Sequence, residues 1–468
     1  MANIIYGMFN VAKTALITQQ KALDITANNI ANVNTEGYSR QRLNMEQNEP
    51  VRYEGGTLST GVRANRTIQR IYDRFLNSQL ADAAAKKGRW QAQRETLEKA
   101  ELMFDEVSGY GLNNAMSQFW DAWQQLSNNP SGYTERVTLI GESRNMTDGF
   151  NKLIRDLHQV QKGSDISVNG AVGDINTLTG EIAELNLKIS EIEAGNNHSA
   201  NEFRDQRDLK LKELSSLINV NSFEDADGYL TIVTANGHTL VDRVSSWNLT
   251  TGLNATGFND VFWESSSGAL QNITSDISDG KLKGWIEARD TSIPDYLVRL
   301  NDMAQTMITA VNTLHSTGLT LEAPPDDTGI DFFSGTDASD IAVNTAVVNN
   351  SNLVAAALNT EGVPGGNGNA IAISELQNSL SMSGGTAAFG DFYNSLVSDV
   401  GRNVSQAKVN SDHQSMVSLQ LATYREEVSG VSMDEEMVNM VQFQSAYNAA
   451  AKLVNTVDEM LEALIAMV

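Results

Sequence analysis

The stretch ANNIANVNTEGYSRQ, residues 27–41, crowds four asparagines, Asn28, Asn29, Asn32 and Asn34, onto the end of a helical pattern. Asparagine suits a helix interior poorly, because its amide competes for backbone hydrogen bonds. Gly37 and Tyr38 follow, and then Ser39, Arg40 and Gln41. Asparagine and glycine tolerate the left-handed backbone that ends helices, and amides can satisfy the carbonyls orphaned there. The cluster is expected to stop a first helix and turn the chain.

That first helix carries a seam. Ile5, Phe9, Ala12, Leu16, Gln19, Leu23, Thr26, Ile30 and Val33 recur at alternating steps of four and three, with two polar interruptions. The other end of the chain repeats the pattern without a break, at Met440, Phe443, Tyr447, Ala450, Val454, Val457, Leu461, Leu464 and Val468. Upstream of it, Gly430 breaks the preceding helix. Ser432 and Glu435 have capping-box spacing, and Asp434, Glu435 and Glu436 suit the positive end of a helix. Isolated helices are marginal in water, so the two seams are expected to pair as a coiled coil. Periodicity alone leaves open that each packs into its own core.

Between the ends lie further helical patterns, near 72–104, 113–130, 134–162, 175–194, 201–218, 294–318 and 389–430. The texture changes near residue 219. GYLTIVTANGHTLVDRVSSWNLTT alternates β-branched and aromatic residues around the hairpin signal Asn236–Gly237. Strand-like pieces run on through FNDVFWES and end near GKLKGWIEARD. The expectation is a mainly α, multidomain α+β chain. Residues 1–36 and 428–468 form the inner terminal helices, and 37–218 and 281–427 a long-helix middle domain with an irregular stretch at 318–370. Residues 219–280 form a small outer β domain.

Composition narrows the function. The 468 residues carry a formal charge of −25 and a pI near 4.5, which argues against nucleic acid and against docking on an anionic membrane. The charge is uneven, because residues 1–100 hold 14 basic against 9 acidic residues while the remainder carries −30. Arg40, Arg42, Arg52, Arg63, Arg66, Arg70 and Arg74 supply much of the basic excess: either a solvated face or a match to acidic surface on neighbouring chains. No apolar run approaches the ~20 residues of a membrane span, and the N-terminus lacks the charged start of a secretory signal.

Catalytic patterns are missing. Without cysteine there are no disulfides, zinc thiolates or cysteine nucleophiles. His158, His198, His238, His315 and His413 are scattered, with no metal-ligand spacing. DADG (225–228) lacks the rest of a calcium loop, and GGNG lacks the lysine of a phosphate loop. No catalytic, cofactor or metal residue is assigned, and the chain is not read as an enzyme.

With both seams in view, ANNIANVNTEGYSRQ resembles the signature of bacterial flagellar axial proteins. GYSRQ and the segment GKLKGWIEARDTSIPDYLVRLNDMAQTMITAVNTLHSTG resemble the FlgK family of hook-associated proteins, as does VSGVSMDEEMVNMVQFQSAYNAAAKLVNTVDEMLEALI. The family usually has proline where this chain has Glu36, and its outer region is usually longer. The resemblance implies export through the flagellar type III channel without a cleaved signal, and extracellular assembly as a ring joining hook to filament. It implies as partners the hook protein, a second hook-associated junction protein and an export chaperone, with no nucleic acid and no membrane insertion. Asn28 to Tyr38 are expected to turn the chain from the inner helices toward the middle domain. Alternatives are another axial protein of hook or rod type, or a secreted adhesin that borrows the axial core and binds through the β-rich segment.

Overall fold

The structure is a computed structural model describing residues 2–53, 56–58, 61–104, 111–194, 199–322, 328–359 and 363–466. Val468 of the C-terminal seam and His198 lie outside the described residues. Among the described residues the helices are α1 (Ala2–Ala31), α2 (Arg74–Glu101), α3 (Leu112–Asn128), α4 (Tyr133–Glu193), α5 (Asn201–Leu217), α6 (Lys281–Glu287), α7 (Ile293–His315), α8 (Thr345–Asn349), α9 (Gly368–Glu375), α10 (Phe389–Ser429) and α11 (Met433–Ala466). Strands β1 (Gln41–Gln47), β2 (Val51–Tyr53), β3 (Gly56–Leu58) and β4 (Val62–Arg70) lie between α1 and α2. Strands β5 (Val220–Glu224), β6 (Leu230–Thr234), β7 (Thr239–Asp242), β8 (Ser245–Ser246), β9 (Leu249–Leu253), β10 (Asn259–Glu264) and β11 (Leu270–Asn272) lie between α5 and α6.

The segment from residue 37, expected to be helical, begins with a β-ribbon. β1 and β4 pair antiparallel from Gln41 opposite Arg70 to Gln47 opposite Val62, and β2 pairs with β3. Only Gln41 and Leu43 of β1 are buried, so the alternation that marks a half-buried strand is too short to read. The ribbon lies along α1. Ala22, Ile25 and Leu43 form a small core with Ala64, Ile68 and Phe443 of α11, so α1 is covered by the ribbon and by α11.

The middle of the molecule is built on long helices. Asp73 caps α2, accepting from the backbone N–H groups of Phe75 and Leu76 at 2.9 and 3.1 Å. α2 runs antiparallel to α10: Gly401 lies by Glu101, and Arg94 reaches Asp412 at 3.5 Å. α4 is one continuous helix of 61 residues, about 90 Å long, where two helices were expected. The expected gap holds Gly163, Gly170 and Gly173 but no proline. Glycine costs a helix about 1 kcal/mol per residue without breaking it, and the buried stripe Leu157, Gln161, Ser164, Val168, Ala171, Val172 and Ile175 runs straight through.

Two larger cores follow. One joins α3, the first half of α4, α7 and the start of α10 around Phe119, Trp120, Trp123, Phe332 and Phe333. The other packs two antiparallel sheets, β5-β6-β7-β8 and β11-β10-β9, against the second half of α4, with α5 and α6. The Asn236–Gly237 signal is a hairpin between β6 and β7, with Gly237 at φ +89°. The β-rich segment therefore shares its core with α4.

Candidate functional site: a polar hub at the end of the first helix

α1 ends at Ala31, and the chain turns through residues 32–37. Only Gly37 takes the left-handed backbone there, at φ +83°. None of the four asparagines does so; outside glycine, positive φ among the described residues occurs only at Arg243 and Ser383. The asparagines work through their amides.

Asn29 is the centre. It is 1% exposed, and its amide makes four hydrogen bonds. Its Nδ2 donates to the Gln41 carbonyl at 2.9 Å and to Glu436 Oε2 at 3.1 Å. Its Oδ1 accepts from the Gln41 N–H at 3.0 Å and from the Tyr38 hydroxyl at 2.9 Å. One side chain thus ties α1, the turn, β1 and the first turn of α11. Asn32 Nδ2 donates to the carbonyl of Asn28 at 3.0 Å and to its side-chain oxygen at 2.7 Å, closing the helix end. Asn28 Nδ2 reaches Glu202 of α5 at 3.3 Å. Asn34 is exposed and outside this network's core.

Ser39, Arg40 and Gln41 extend the hub. The Ser39 N–H donates to Asp205 Oδ2 at 2.9 Å. The Arg40 N–H donates to the Ser429 carbonyl at 2.8 Å, holding the α10–α11 corner. The Arg40 guanidinium binds Glu436 and Glu435, each at 2.7 Å. Glu435, assigned by its spacing to a capping box, is engaged by Arg40. Glu436 is 2% exposed, so its charge is tolerable only with these donors around it. Gln41 is buried and accepts from Asn201 at 3.4 Å.

Residues with no local sequence signal complete the site. Arg425 of α10 donates to the carbonyls of Gly37 and Tyr38, and Arg70 of β4 binds Asp205 at 2.8 Å and Asp208 at 2.7 Å. Burial, with Asp205, Glu202 and Glu436 nearby, pushes the Tyr38 phenol well above its usual range and keeps it a neutral donor. Burial and Asp208 push Tyr72 up to about 12. Further along α5, Arg204 and Arg207 both bind Glu224 of β5, so the ion pairs continue toward the β sheets. Glu36 stands exposed in the turn and pairs with Lys212 at 3.5 Å.

The seams are placed unevenly. Ile5 is buried, while Leu16, Leu23 and Ile30 are half-buried. Phe9, one turn from buried Ile5 and Ala12, is 37% exposed. The ribbon rotates the buried arc of α1 toward Thr18, Ala22, Ile25 and Asn29. On α11 Val457 is buried, and Met440, Phe443, Tyr447, Val454, Leu461 and Leu464 are half-buried. Among the described residues no His, Cys, Asp and Glu cluster could hold a metal ion, and no helix is long and apolar enough to cross a membrane.

A helix pair made from the first and last helices is thus locked by an asparagine hub onto a long-helix body. Residues 9–38 match the family described as flagella basal body rod protein, and residues 424–467 the FlgEFG basal body rod C-terminal family. Residues 97–333, half of the chain, match the flagellar hook-associated protein FlgK helical domain. The chain belongs to the FlgK family of flagellar hook-associated proteins, structural components of the bacterial flagellum. It is 28% identical to flagellar hook-associated protein 1 of Bacillus subtilis, over 97% of this chain and 96% of that protein. It is 26% identical to the protein of that name from Escherichia coli, over 98% and 99%. The flagellar hook junction protein FlgK of Burkholderia pseudomallei shares the fold, with a TM-score of 0.66 at 14% identity over 75% of this chain and 100% of that one.

Proposed function

We propose that this protein is a junction subunit between hook and filament, exported through the flagellar type III system and assembled as an extracellular ring of identical chains. The observation that carries the reading is the Asn29–Glu436 hydrogen bond, which joins positions 407 residues apart and fixes both chain ends to one corner. Residues 1–36 and 428–468 form the inner, assembling part, 37–218 and 281–427 the shaft, and 219–280 the outer part. The hook protein lies on one side and a second hook-associated protein on the other, with an export chaperone before assembly. α11 buries only Glu436, Ala450 and Val457, so its remaining apolar surface is left for neighbours.

The test is complementation of a strain lacking the gene. Wild-type chain restores filaments and swimming, whereas a chain with Asn29→Ala and Glu436→Ala leaves hooks without filaments and flagellin in the medium. Normal filaments in the deletion strain itself would refute the junction role and turn attention to adhesion through the β-rich segment.

A further inference from the structure

The sequence has three Asn–Gly pairs, Asn169–Gly170, Asn236–Gly237 and Asn367–Gly368. In such a pair the glycine backbone nitrogen can attack the asparagine Cγ, because glycine has no side chain to block the approach. The reaction needs a free amide and a backbone able to swing. Asn169 and Gly170 lie inside α4, and the Asn169 side-chain oxygen accepts from the Thr251 hydroxyl at 2.7 Å. Asn367 precedes α9, its Nδ2 donates to the Ser127 carbonyl at 2.8 Å, and Gly368 sits against Leu358. Asn236 and Gly237 differ on both counts. They are exposed at the tip of the β6–β7 hairpin, and the Asn236 side chain makes no hydrogen bond to another described residue. Nothing lies within 4 Å of where a Gly237 β-carbon would stand. The attacking nitrogen is restrained by its own bond, since the Gly237 N–H donates to the Thr234 carbonyl at 2.9 Å. That bond closes the exposed end of the ladder, where opening is easiest.

We infer that Asn236 is a site of spontaneous deamidation in the folded protein. When the bond to Thr234 opens, the Gly237 nitrogen bonds to Asn236 Cγ and the Cγ–Nδ2 bond breaks. The Gly237 proton and the Nδ2 group leave together as ammonia, and a cyclic succinimide remains. Water then adds to one of its two carbonyls. Breaking the bond from Cγ to nitrogen gives aspartate, and breaking the original main-chain bond gives isoaspartate. Nothing is oxidised or reduced, and water is the only co-reactant. Both products place a negative charge at the hairpin tip. Isoaspartate also adds a methylene to the main chain of a loop closed by the Gly237–Thr234 and Thr234–His238 bonds, which the lengthened backbone no longer fits.

The test is peptide mapping of the purified full chain, held folded in warm, mildly alkaline buffer and sampled over days. Fragmentation spectra locate each lost amide, and an isoaspartate methyltransferase labels the rearranged product. Loss at Asn236 is expected at least about tenfold faster than at Asn169 or Asn367, with isoaspartate among the products. In guanidinium the three pairs should react at similar rates, because the fold alone sets them apart. Gly237→Ala, compared in guanidinium so that its left-handed backbone is irrelevant, should slow the loss, because a β-carbon crowds the attacking nitrogen. An Asn236 that keeps its amide in the folded chain while losing it in guanidinium would overturn the site. So would Asn169 or Asn367 reacting as fast in the folded chain. Aspartate alone, with no response to Gly237→Ala, would mean direct hydrolysis and would overturn the cyclisation.

Discussion

The Arg425 guanidinium donates to the carbonyl oxygens of Gly37 and Tyr38, at 2.7 and 3.1 Å, so the last turns of α10 clamp the turn that follows α1. Gly37 presents its carbonyl there because it holds φ +83°. A β-carbon at this position would meet Leu209 at 3.5 Å, an ordinary contact, so the penalty for Gly37→Ala is conformational. We expect a loss of about 1–2 kcal/mol, seen as a lower urea midpoint, with the Arg425→Ala variant falling in the same direction. An unchanged midpoint for Gly37→Ala would show that the turn relaxes freely.

Asn29 serves both as donor and as acceptor, so its substitutions separate the roles. Asn29→Ala strands the Tyr38 hydroxyl, the Gln41 backbone and Glu436, and should cost about 3 kcal/mol. Asn29→Asp keeps the acceptors but sets a carboxyl against Glu436. Like charges raise the folded pKa of that carboxyl above its unfolded value, so its stability contribution falls as pH rises through the carboxylate range. Urea unfolding at pH 4 and pH 7 should show Asn29→Asp nearer to wild type at the lower pH. The opposite order would exclude charge repulsion as the cause.

His315 gives a second pH dependence. It is buried by Trp123 and Phe332, its Nδ1 lies 2.7 Å from the Ile330 carbonyl, and its Nε2 accepts from the Ala355 N–H at 3.0 Å. Burial, with Arg136 adding to it, pushes its pKa down to about 4. The unfolded chain therefore binds the proton more tightly. Stability is complete above about pH 6.5 and is lost as pH falls toward 4, by about 3 kcal/mol in all. Replacing His315 with Gln should flatten that part of the profile.

Arg289 is fully buried where α6 meets α7, and it binds Asp165 of α4 at 2.6 Å and Asp290 at 2.7 Å. Arg289→Ala leaves Asp165 without its cation at the seam between the two large cores. A loss of about 3–5 kcal/mol is expected in thermal unfolding, whereas exposed Arg402→Ala should change little.

Protease should cut the distal half of α11 and the start of α1 before the middle of the chain, since so little of α11 is buried. Limited digestion followed by mass spectrometry checks this. Equal resistance along the chain would mean that the terminal pair is held better than its burial implies.

Much of this was legible in the sequence. The long helices announced themselves by period, and the α11 seam falls on its least exposed line. Of the two reasons offered for the asparagine cluster, left-handed backbone explains Gly37 alone, while Asn29 acts through its amide, in three bonds to Tyr38 and Gln41 nearby and one to Glu436, 407 residues away, which no local pattern encodes. Asp205, Arg70 and Arg425 read as ordinary charged positions on solvated helices or strands, because their partners lie far away in sequence. The ribbon at 41–70 escaped because its burial alternation is brief. The unbroken α4 escaped because glycines look like stops when the apolar stripe beneath them is not followed.

The antiparallel pairing of α2 and α10 also sets a folding order. Closing a loop of 407 residues directly would cost about 5 kcal/mol in chain entropy before any contact formed. Once α2 and α10 lie together, Arg74 and Arg425 line the same pocket, and the hub needs only two short segments to come to rest. α1 meets the ribbon of β1 and β4 close by in sequence, whereas α11 reaches it from the far side of the shaft. Contact order thus favours a late pairing of α1 with α11, after the shaft between them has formed.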